Sequence, residues 1–327
     1  MRAVTVGIIS IGDMGLGMAK LLQAHDYRVV TVSEGRSEHT LSRVHAANIE
    51  TLPSDQALVA QADYILSIVP PRNALATAQR IAGACTQPDT VPQRDAIDDV
   101  NGHPHRSPLY FLELNATPPR LAEELAALFA VDESATSTPF VRCHFLDGGI
   151  IGGPPALVSA STPATPATPL ADANPGSWKR PSVVLSGAAS TLKLTFAALT
   201  KGLTALSILS FSTAQREELL PELLAHLDEY SPATAGLARR GVIAMSPKAY
   251  RWEEEMRGIG EALDTQGEWD GVGASVYGGF AEIYRTVAED TVLGLERVGA
   301  RVRGTSVEDA ALVIANRGRD DGEEPRS

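Results

Sequence analysis

Residues 4–9 form an apolar run that feeds directly into Ser10-Ile11-Gly12-Asp13-Met14-Gly15-Leu16-Gly17, after which a helical pattern continues through Leu22. The order is strand, glycine turn, helix. A turn this tight needs residues without a Cβ where backbone must approach a pyrophosphate, and the helix behind it offers free N–H groups and a positive dipole end to phosphates. The expected ligand is a dinucleotide, held by the backbone of Ser10, Ile11, Gly12, Asp13 and Met14. A strand before and an amphipathic helix after supply the context that separates this pattern from a glycine-rich chain reversal. In the G-x-G-x-x-G register the chain reads Ser10, Gly12, Gly15, so serine stands at the first glycine position.

At 327 residues the chain is long for one domain, and two are expected. Lysine and arginine total 28 against 40 acidic residues, a formal net charge of −12, which disfavours nucleic acid and anionic membrane surfaces as partners. The two cysteines, Cys85 and Cys143, form neither a disulfide framework nor a C-x-x-C pair, so a reducing compartment, the cytoplasm, is expected. The N-terminus passes straight into the glycine turn without an apolar signal region, and no segment is read as approaching the length of a membrane span.

Short apolar runs at 28–32, 64–69, 109–114 and 143–146 alternate with helical patterns at 39–47, 55–61 and 119–129. In the last of these helices Leu121, Leu125 and Leu128 share one face. Such alternation argues for βαβ units, because parallel neighbours need crossovers. From about residue 188 strand signals vanish and the pattern stays helical to about 316. The fold class expected is therefore α/β, a Rossmann doubly wound parallel sheet over residues 1–187 followed by an all-helical C-terminal domain over 188–316, with a charged, disordered tail at 317–327. Two stretches interrupt the first domain. Residues 86–108, rich in proline, aspartate and histidine, and residues 159–179, rich in Ser, Thr, Pro and Ala, both read as surface insertions. His103 and His105 form an H-x-H pair, but with no second ligand cluster it reads as a solvated loop, and no metal site is expected.

These residues resemble the 6-phosphogluconate dehydrogenase and β-hydroxyacid dehydrogenase superfamily over nearly the whole chain. Gly12-Asp13-Met14-Gly15 followed by Gly17-Met18-Ala19 looks like that family's variant of the dinucleotide turn. Residues 62–69 with Pro70 and Pro71 look like the strand whose end flanks the cofactor's ribose and nicotinamide, which the resemblance assigns to Val69, Pro70 and Pro71. Glu113-Leu114-Asn115-Ala116-Thr117-Pro118-Pro119 sits where the family carries D-x-S-T-x-x-P, and Asp147-Gly148-Gly149-Ile150-Ile151-Gly152-Gly153 where it carries D-A-P-V-S-G-G. Asn115, Gly148 and Gly149 are the substrate contacts this implies, Asn115 also facing the cofactor. Ser186-Gly187 followed by Lys193 resembles the glycine-then-lysine helix whose lysine is the family's general acid/base. The chemistry stands on its own: oxidising a carbinol needs a group that takes the hydroxyl proton as hydride leaves, and a partly desolvated lysine can do so near neutral pH. A surface lysine lying along an amphipathic helix is the plain alternative, and Lys201 is a rival candidate.

Two departures weigh on the substrate. Ala197 replaces the asparagine one turn after the lysine, and Ile151 replaces the serine that anchors a substrate carboxylate. They argue against a standard 3-hydroxyisobutyrate or 6-phosphogluconate pocket. Lys248-Ala249-Tyr250-Arg251-Trp252, with Glu255 and Met256, resembles a 6-phosphogluconate-dehydrogenase-like C-terminal domain of unknown function, and Tyr250 and Trp252 are candidate substrate contacts. Trp252, Met256 and Ile259 equally have the spacing of a core stripe.

At the end of the second strand, an acidic residue favours NAD and an arginine NADP. Ser33-Glu34-Gly35-Arg36-Ser37 carries both signals. Arg36-Ser37, with Ser33 available, favours NADP, while Glu34 pointing at the ribose would favour NAD. The expected function is an NADP-dependent oxidoreductase interconverting a hydroxy compound, hydroxy acid or sugar-acid-like, with its carbonyl. An imine reductase or reductive aminase is the chemical alternative, and a non-catalytic NADP-binding protein the alternative of another class. Beyond a small-molecule substrate, the expected partner is a second copy, a homodimer formed through the leucine stripes of the helical domain (Leu203, Leu206, Leu209, Leu219, Leu223, Leu227).

Overall fold

The structure is a computed structural model that describes residues 4–100, 108–115, 117–130, 139–158, 177–185 and 189–318. His103 and His105, most of the second insertion, Ser186-Gly187 and nearly all of the tail lie outside the described residues. The chain divides into two compact units, Met1–Lys193 and Leu194–Ser327.

The first unit runs β1 (Thr5–Ile9), α1 (Asp13–Gln23), β2 (Arg28–Val32), α2 (Glu38–Ala46), β3 (Glu50–Leu52), α3 (Asp55–Gln61), β4 (Tyr64–Ser67), α4 (Ala74–Cys85), α5 (Thr90–Val100), β5 (Leu109–Glu113), α6 (Pro119–Phe129), β6 (Cys143–Ile151), the short β7 (Ala156–Leu157) and β8 (Trp178–Lys179), and β9 (Ser182–Leu185). The main sheet has the order β3-β2-β1-β4-β5-β6-β9, parallel throughout except for β9, which pairs antiparallel with the second half of β6. Strand order reverses between β1 and β4, and in open α/β sheets that point, at the carboxyl ends of the strands, is where ligands bind. Alternating side chains feed two cores. Ile65, Leu109 and Phe111 pack with Ile81 of α4 and Leu125 of α6 on one face. Val6, Ile8, Leu66 and Leu112 pack with Met18 and Ala19 of α1 on the other. Serine hydroxyls start two of the helices, Ser37 Oγ accepting from Thr40 N (3.3 Å) and Ser54 Oγ from Ala57 N (3.2 Å).

The first insertion is not wholly a surface loop. α5 packs against α3, and Arg94, 6% exposed, donates through Nη1 to the carbonyls of Val59 and Ala62. Those carbonyls close the last turn of α3, where no intrahelical donor remains, so a buried guanidinium there satisfies orphan acceptors. β3, α4 and β9 add elements that the sequence reading lacks, and β6 extends to Ile151 instead of ending at 146.

The second unit continues α7 (Ala189–Arg216), which begins in the first, and adds α8 (Leu220–Tyr230), α9 (Pro232–Met245), α10 (Ala249–Gly267), α11 (Val272–Glu289) and α12 (Val307–Ala315). Its helical course is interrupted between α11 and α12, where Gly299 and Gly304 have positive φ. The core gathers Ile208, Phe211, Met245, Met256, Ile259 and Tyr284. The expectation that no segment approaches a membrane span is corrected: Ser190–Arg216 is long and apolar enough to cross one, and half of its most apolar window is buried in the protein.

Candidate active site

The glycine turn divides its work among three positions. Ser10 takes the left-handed conformation, φ 76°, that a first glycine would adopt without cost. A Cβ added to Gly12 would meet nothing within 4 Å, so the backbone there is open to a pyrophosphate. A Cβ on Gly15 would lie 2.2 Å from the Ser10 carbonyl oxygen, so the third glycine is what lets α1 close on β1. Gly12 caps α1 with no side-chain hydrogen bond, leaving that role to a ligand. These residues fit a dinucleotide. Ile11 is buried and offers only backbone, Met14 packs on the core, and Asp13 forms an ion pair with Arg43 of α2 at 3.0 Å.

Beyond β2 the turn places its candidates differently from one another. Ser33 spends its amide (3.1 Å) and hydroxyl (3.3 Å) on the Leu52 carbonyl, and Ser37 caps α2. Glu34 is exposed, and Gly35 turns the chain at φ 69°. Arg36 is half-buried, its Nε donating to Val32 O at 3.4 Å. Burial, then the charge of Arg80, pulls the Arg36 pKa down, and Asp55 pulls it back up. Arg80, on α4, is bonded to Asp55 at 2.9 Å through both Nε and Nη2. Two cations thus stand near the end of β2, and the second escapes sequence reasoning because α4 is a crossover away.

At the carboxyl ends of β4 and β5 and the middle of β6, the register sets Ser67, Glu113 and Asp147 in one row. Asp147 accepts from Ser190 N (3.1 Å) and Ser190 Oγ (2.5 Å), fixing a carboxylate at the positive end of α7. That anchorage places Lys193, one turn on, with its Nζ donating to Leu114 O at 2.8 Å. Asn115 is 4% exposed, its Oδ1 accepting from Val69 N at 2.7 Å and its Nδ2 donating to Ser67 Oγ at 3.2 Å. Its amide is thus engaged in stapling the exit of β4 to β5, and it acts on Val69, Pro70 and Pro71 by shaping their loop. Glu113 has no measurable exposure. Its Oε1 accepts from Asn115 N at 3.0 Å, while its Oε2 has no hydrogen-bond partner among the described residues. Burial raises its pKa to about 7, against the opposing pull of the Ser67 and Asn115 hydrogen-bonding groups and the Lys193 charge. Sequence reasoning gave Glu113 no role, although a carboxylate closing Leu-Tyr-Phe-Leu-Glu signals a charge carried into a core strand.

The remaining substrate candidates are placed otherwise. Gly148 and Gly149 lie inside β6, paired with Leu185 and Val184 of β9. A Cβ on Gly148 would meet Leu114 Cδ2 at 2.6 Å and Leu185 Cδ2 at 2.8 Å, so that glycine serves packing. In the helical unit Tyr250 is exposed, whereas Trp252 meets Tyr284 edge-on at 5.2 Å and carries Lys201 Nζ 4.9 Å from its ring centroid. Met256 and Ile259 are buried as a core stripe requires, and Glu255 pairs with Lys201 in the interior.

Residues 5–90 match the family described as NADP oxidoreductase, coenzyme F420-dependent, and residues 214–287 match a domain of unknown function, DUF1932. No curated protein is a significant match. Among solved structures, the chain is similar to 3-hydroxyisobutyrate dehydrogenase of Mycobacterium tuberculosis, with 16% identity over 96% of this chain and 98% of that one and a TM-score of 0.55. A conserved hypothetical protein of Sinorhizobium meliloti gives 18% identity over 97% of each chain and a TM-score of 0.54. A 3-hydroxyisobutyrate dehydrogenase of Salmonella typhimurium gives 13% identity over 95% and 99%, with a TM-score of 0.50. These likenesses are of fold.

A Rossmann unit with an open pyrophosphate turn, a lysine at the carboxyl end of its sheet and a helical C-terminal unit defines the class of NAD(P)-dependent oxidoreductases. Both matched regions occur in this order, an N-terminal region similar to the NADP oxidoreductase family and a C-terminal region matching a domain of unknown function, on a fold shared with 3-hydroxyisobutyrate dehydrogenases.

Proposed function

We propose that the chain is an NADP-dependent oxidoreductase that interconverts a hydroxy compound, hydroxy acid or sugar-acid-like, with its carbonyl. The observation that carries this reading is Lys193, held at 2.8 Å by Leu114 O at the carboxyl end of β5, one strand from the point where strand order reverses. When bound, the nicotinamide supplies the hydride acceptor or donor. Lys193 takes the hydroxyl proton in oxidation and returns it to the carbonyl oxygen in reduction. Asn115 holds Val69 and the two prolines after it as one wall of the cofactor cleft. Arg36, with Arg80 near it, meets the 2′-phosphate of NADP, a task for which a guanidinium fork is suited. Ile151, where relatives carry serine, leaves that position without a carboxylate anchor, so the substrate lacks that carboxylate or binds it elsewhere.

Lys193→Met is the test. Proton transfer by a positioned side chain contributes on the order of 10²–10⁴-fold, so the variant loses most turnover on a panel of hydroxy acids with NADP⁺ while keeping its NADPH affinity; full activity overturns the reading. Reduction of C=N bonds is a second reading, favoured by Ala197, which is buried and apolar where relatives place asparagine. Turnover of imines but of no carbonyl selects it. We read the protein as a cytosolic homodimer. Leu206, Leu209 and Leu219 stand 52%, 45% and 55% exposed on the helical unit, and light scattering should report twice the 34.6 kDa chain.

A further inference from the structure

We propose that Glu113 is the positioning residue of this site, a buried carboxyl that sets the charge state of Lys193. The inference rests on the reading of Lys193 as the acid/base. Two observations carry it. Glu113 immediately precedes Leu114, whose carbonyl holds the Lys193 amine at 2.8 Å. Of the two carboxylates in the row Ser67–Glu113–Asp147, Asp147 is satisfied by both donors of Ser190, whereas Glu113 keeps Oε2 without a hydrogen-bond partner among the described residues. A carboxylate is rarely carried into a core in this condition, because an unpaired buried charge is costly.

Among the described residues the groups facing Glu113 are few. β4 offers the hydroxyl of Ser67, the turn after β5 the Asn115 amide, β6 the already bonded Asp147, and α7 the cation Lys193, whose charge favours ionised Glu113. Coupling is reciprocal: whatever the ammonium does to favour the carboxylate, the carboxylate does equally to favour the ammonium. Ionised Glu113 therefore holds Lys193 as the ammonium that gives a proton to a carbonyl oxygen. Protonated Glu113 releases it towards the neutral amine that takes a proton from a hydroxyl. Since burial brings the Glu113 titration to about 7, the strength of this hold on the Lys193 ammonium changes around neutrality.

The pair can be tested without knowing the substrate. The intact chain is treated with 2,4,6-trinitrobenzenesulfonate across a pH series, and labelling of Lys193 is followed by peptide mass spectrometry. Because one pKa unit is a tenfold change in the neutral fraction, Glu113→Gln is expected to raise Lys193 labelling about tenfold below its midpoint, and Glu113→Asp to restore much of the original profile. An unchanged Lys193 midpoint in Glu113→Gln overturns the proposal. Should that variant fail to fold, Lys193→Met supplies the reciprocal measurement. Losing the cation must move the Glu113 titration to higher pH, read as the midpoint in the pH dependence of unfolding, and an unmoved midpoint overturns the proposal equally. Full turnover by Lys193→Met would instead remove the acid/base role while leaving the labelling result intact, so the two failures are distinct.

Discussion

Lys201 of α7 and Glu255 of α10 form an ion pair inside the helical unit, their side chains only 18% and 12% exposed, with the Lys201 ammonium over the ring of Trp252. Tyr284 closes the arrangement, its hydroxyl donating to the Lys201 carbonyl at 2.7 Å. Burial draws the Lys201 pKa down, and Glu255 holds it up. This lysine, a rival for the catalytic role in the sequence, therefore joins three helices of one unit through a charge, a ring and a carbonyl.

The consequence is a stability effect. Lys201→Met leaves Glu255 buried without its cation, and breaking such a pair costs about 3–5 kcal/mol. Removing both charges in Lys201→Met/Glu255→Leu should recover most of the loss, since well-packed apolar replacements of buried pairs are often neutral. Thermal unfolding of the single and double variants checks this, and a single variant as stable as the parent would show that the pair contributes nothing.

The turn after β1 separates strain from steric need. Ser10→Gly should relieve a left-handed serine worth about 1–2 kcal/mol, against about 0.4–1 kcal/mol of added chain entropy when unfolded. The expected outcome is a protein of equal or slightly greater stability that still binds NADPH. Gly15→Ala behaves oppositely, because its methyl would fall 2.2 Å from Ser10 O and push α1 off the strand. NADPH affinity measured by fluorescence should fall by at least about tenfold, the equivalent of 1.4 kcal/mol. Intact binding by Gly15→Ala would mean that the turn relaxes without it.

Cofactor choice turns on Arg36. Hydrogen bonds to charged groups contribute about 1.5–3 kcal/mol, so Arg36→Ala should weaken NADPH roughly 10–100-fold while leaving NADH within a few-fold. Arg80→Ala should show a smaller loss of the same kind, because Asp55 already neutralises part of that charge. Equal losses for both cofactors would assign Arg36 to holding the end of β2 and would make Glu34 the ribose ligand.

How far the sequence could be read follows from where each signal is stored. Ser10, Gly12 and Gly15 are legible because a phosphate turn lies in one short segment with a strand before and a helix after. Lys193 is legible only through resemblance, since its partner Leu114 O lies just past the end of β5, 79 positions away. β3 and β9 are three and four residues long, and β9 exists because β6 runs on past its parallel partner, which local pattern does not encode. α5 hides because its charged side chains look solvated, while Arg94 is spent on carbonyls of another helix. Glu113 is the instructive omission: its alternation with Leu109 and Phe111 places it on a buried face, a reading available from the strand period alone.

The same carboxyl makes the stability of the fold depend on pH. An unfolded glutamate titrates near 4.5, and Glu113 in the folded chain titrates near 7. Below about pH 4.5 both states hold the proton and the group's contribution to stability is fully present. As pH rises from there to 7 the unfolded chain releases the proton first, so the folded state is progressively disfavoured, and above 7 the loss is complete. A separation of this size, at 1.36 kcal/mol per pKa unit, amounts to about 3 kcal/mol. Glu113→Gln removes the titration while keeping an acceptor for the Asn115 amide. Its stability relative to the parent should therefore increase by about that amount between pH 5 and pH 8, in denaturant unfolding at fixed ionic strength. A difference that stays flat across this range would place the Glu113 titration back among ordinary carboxylates.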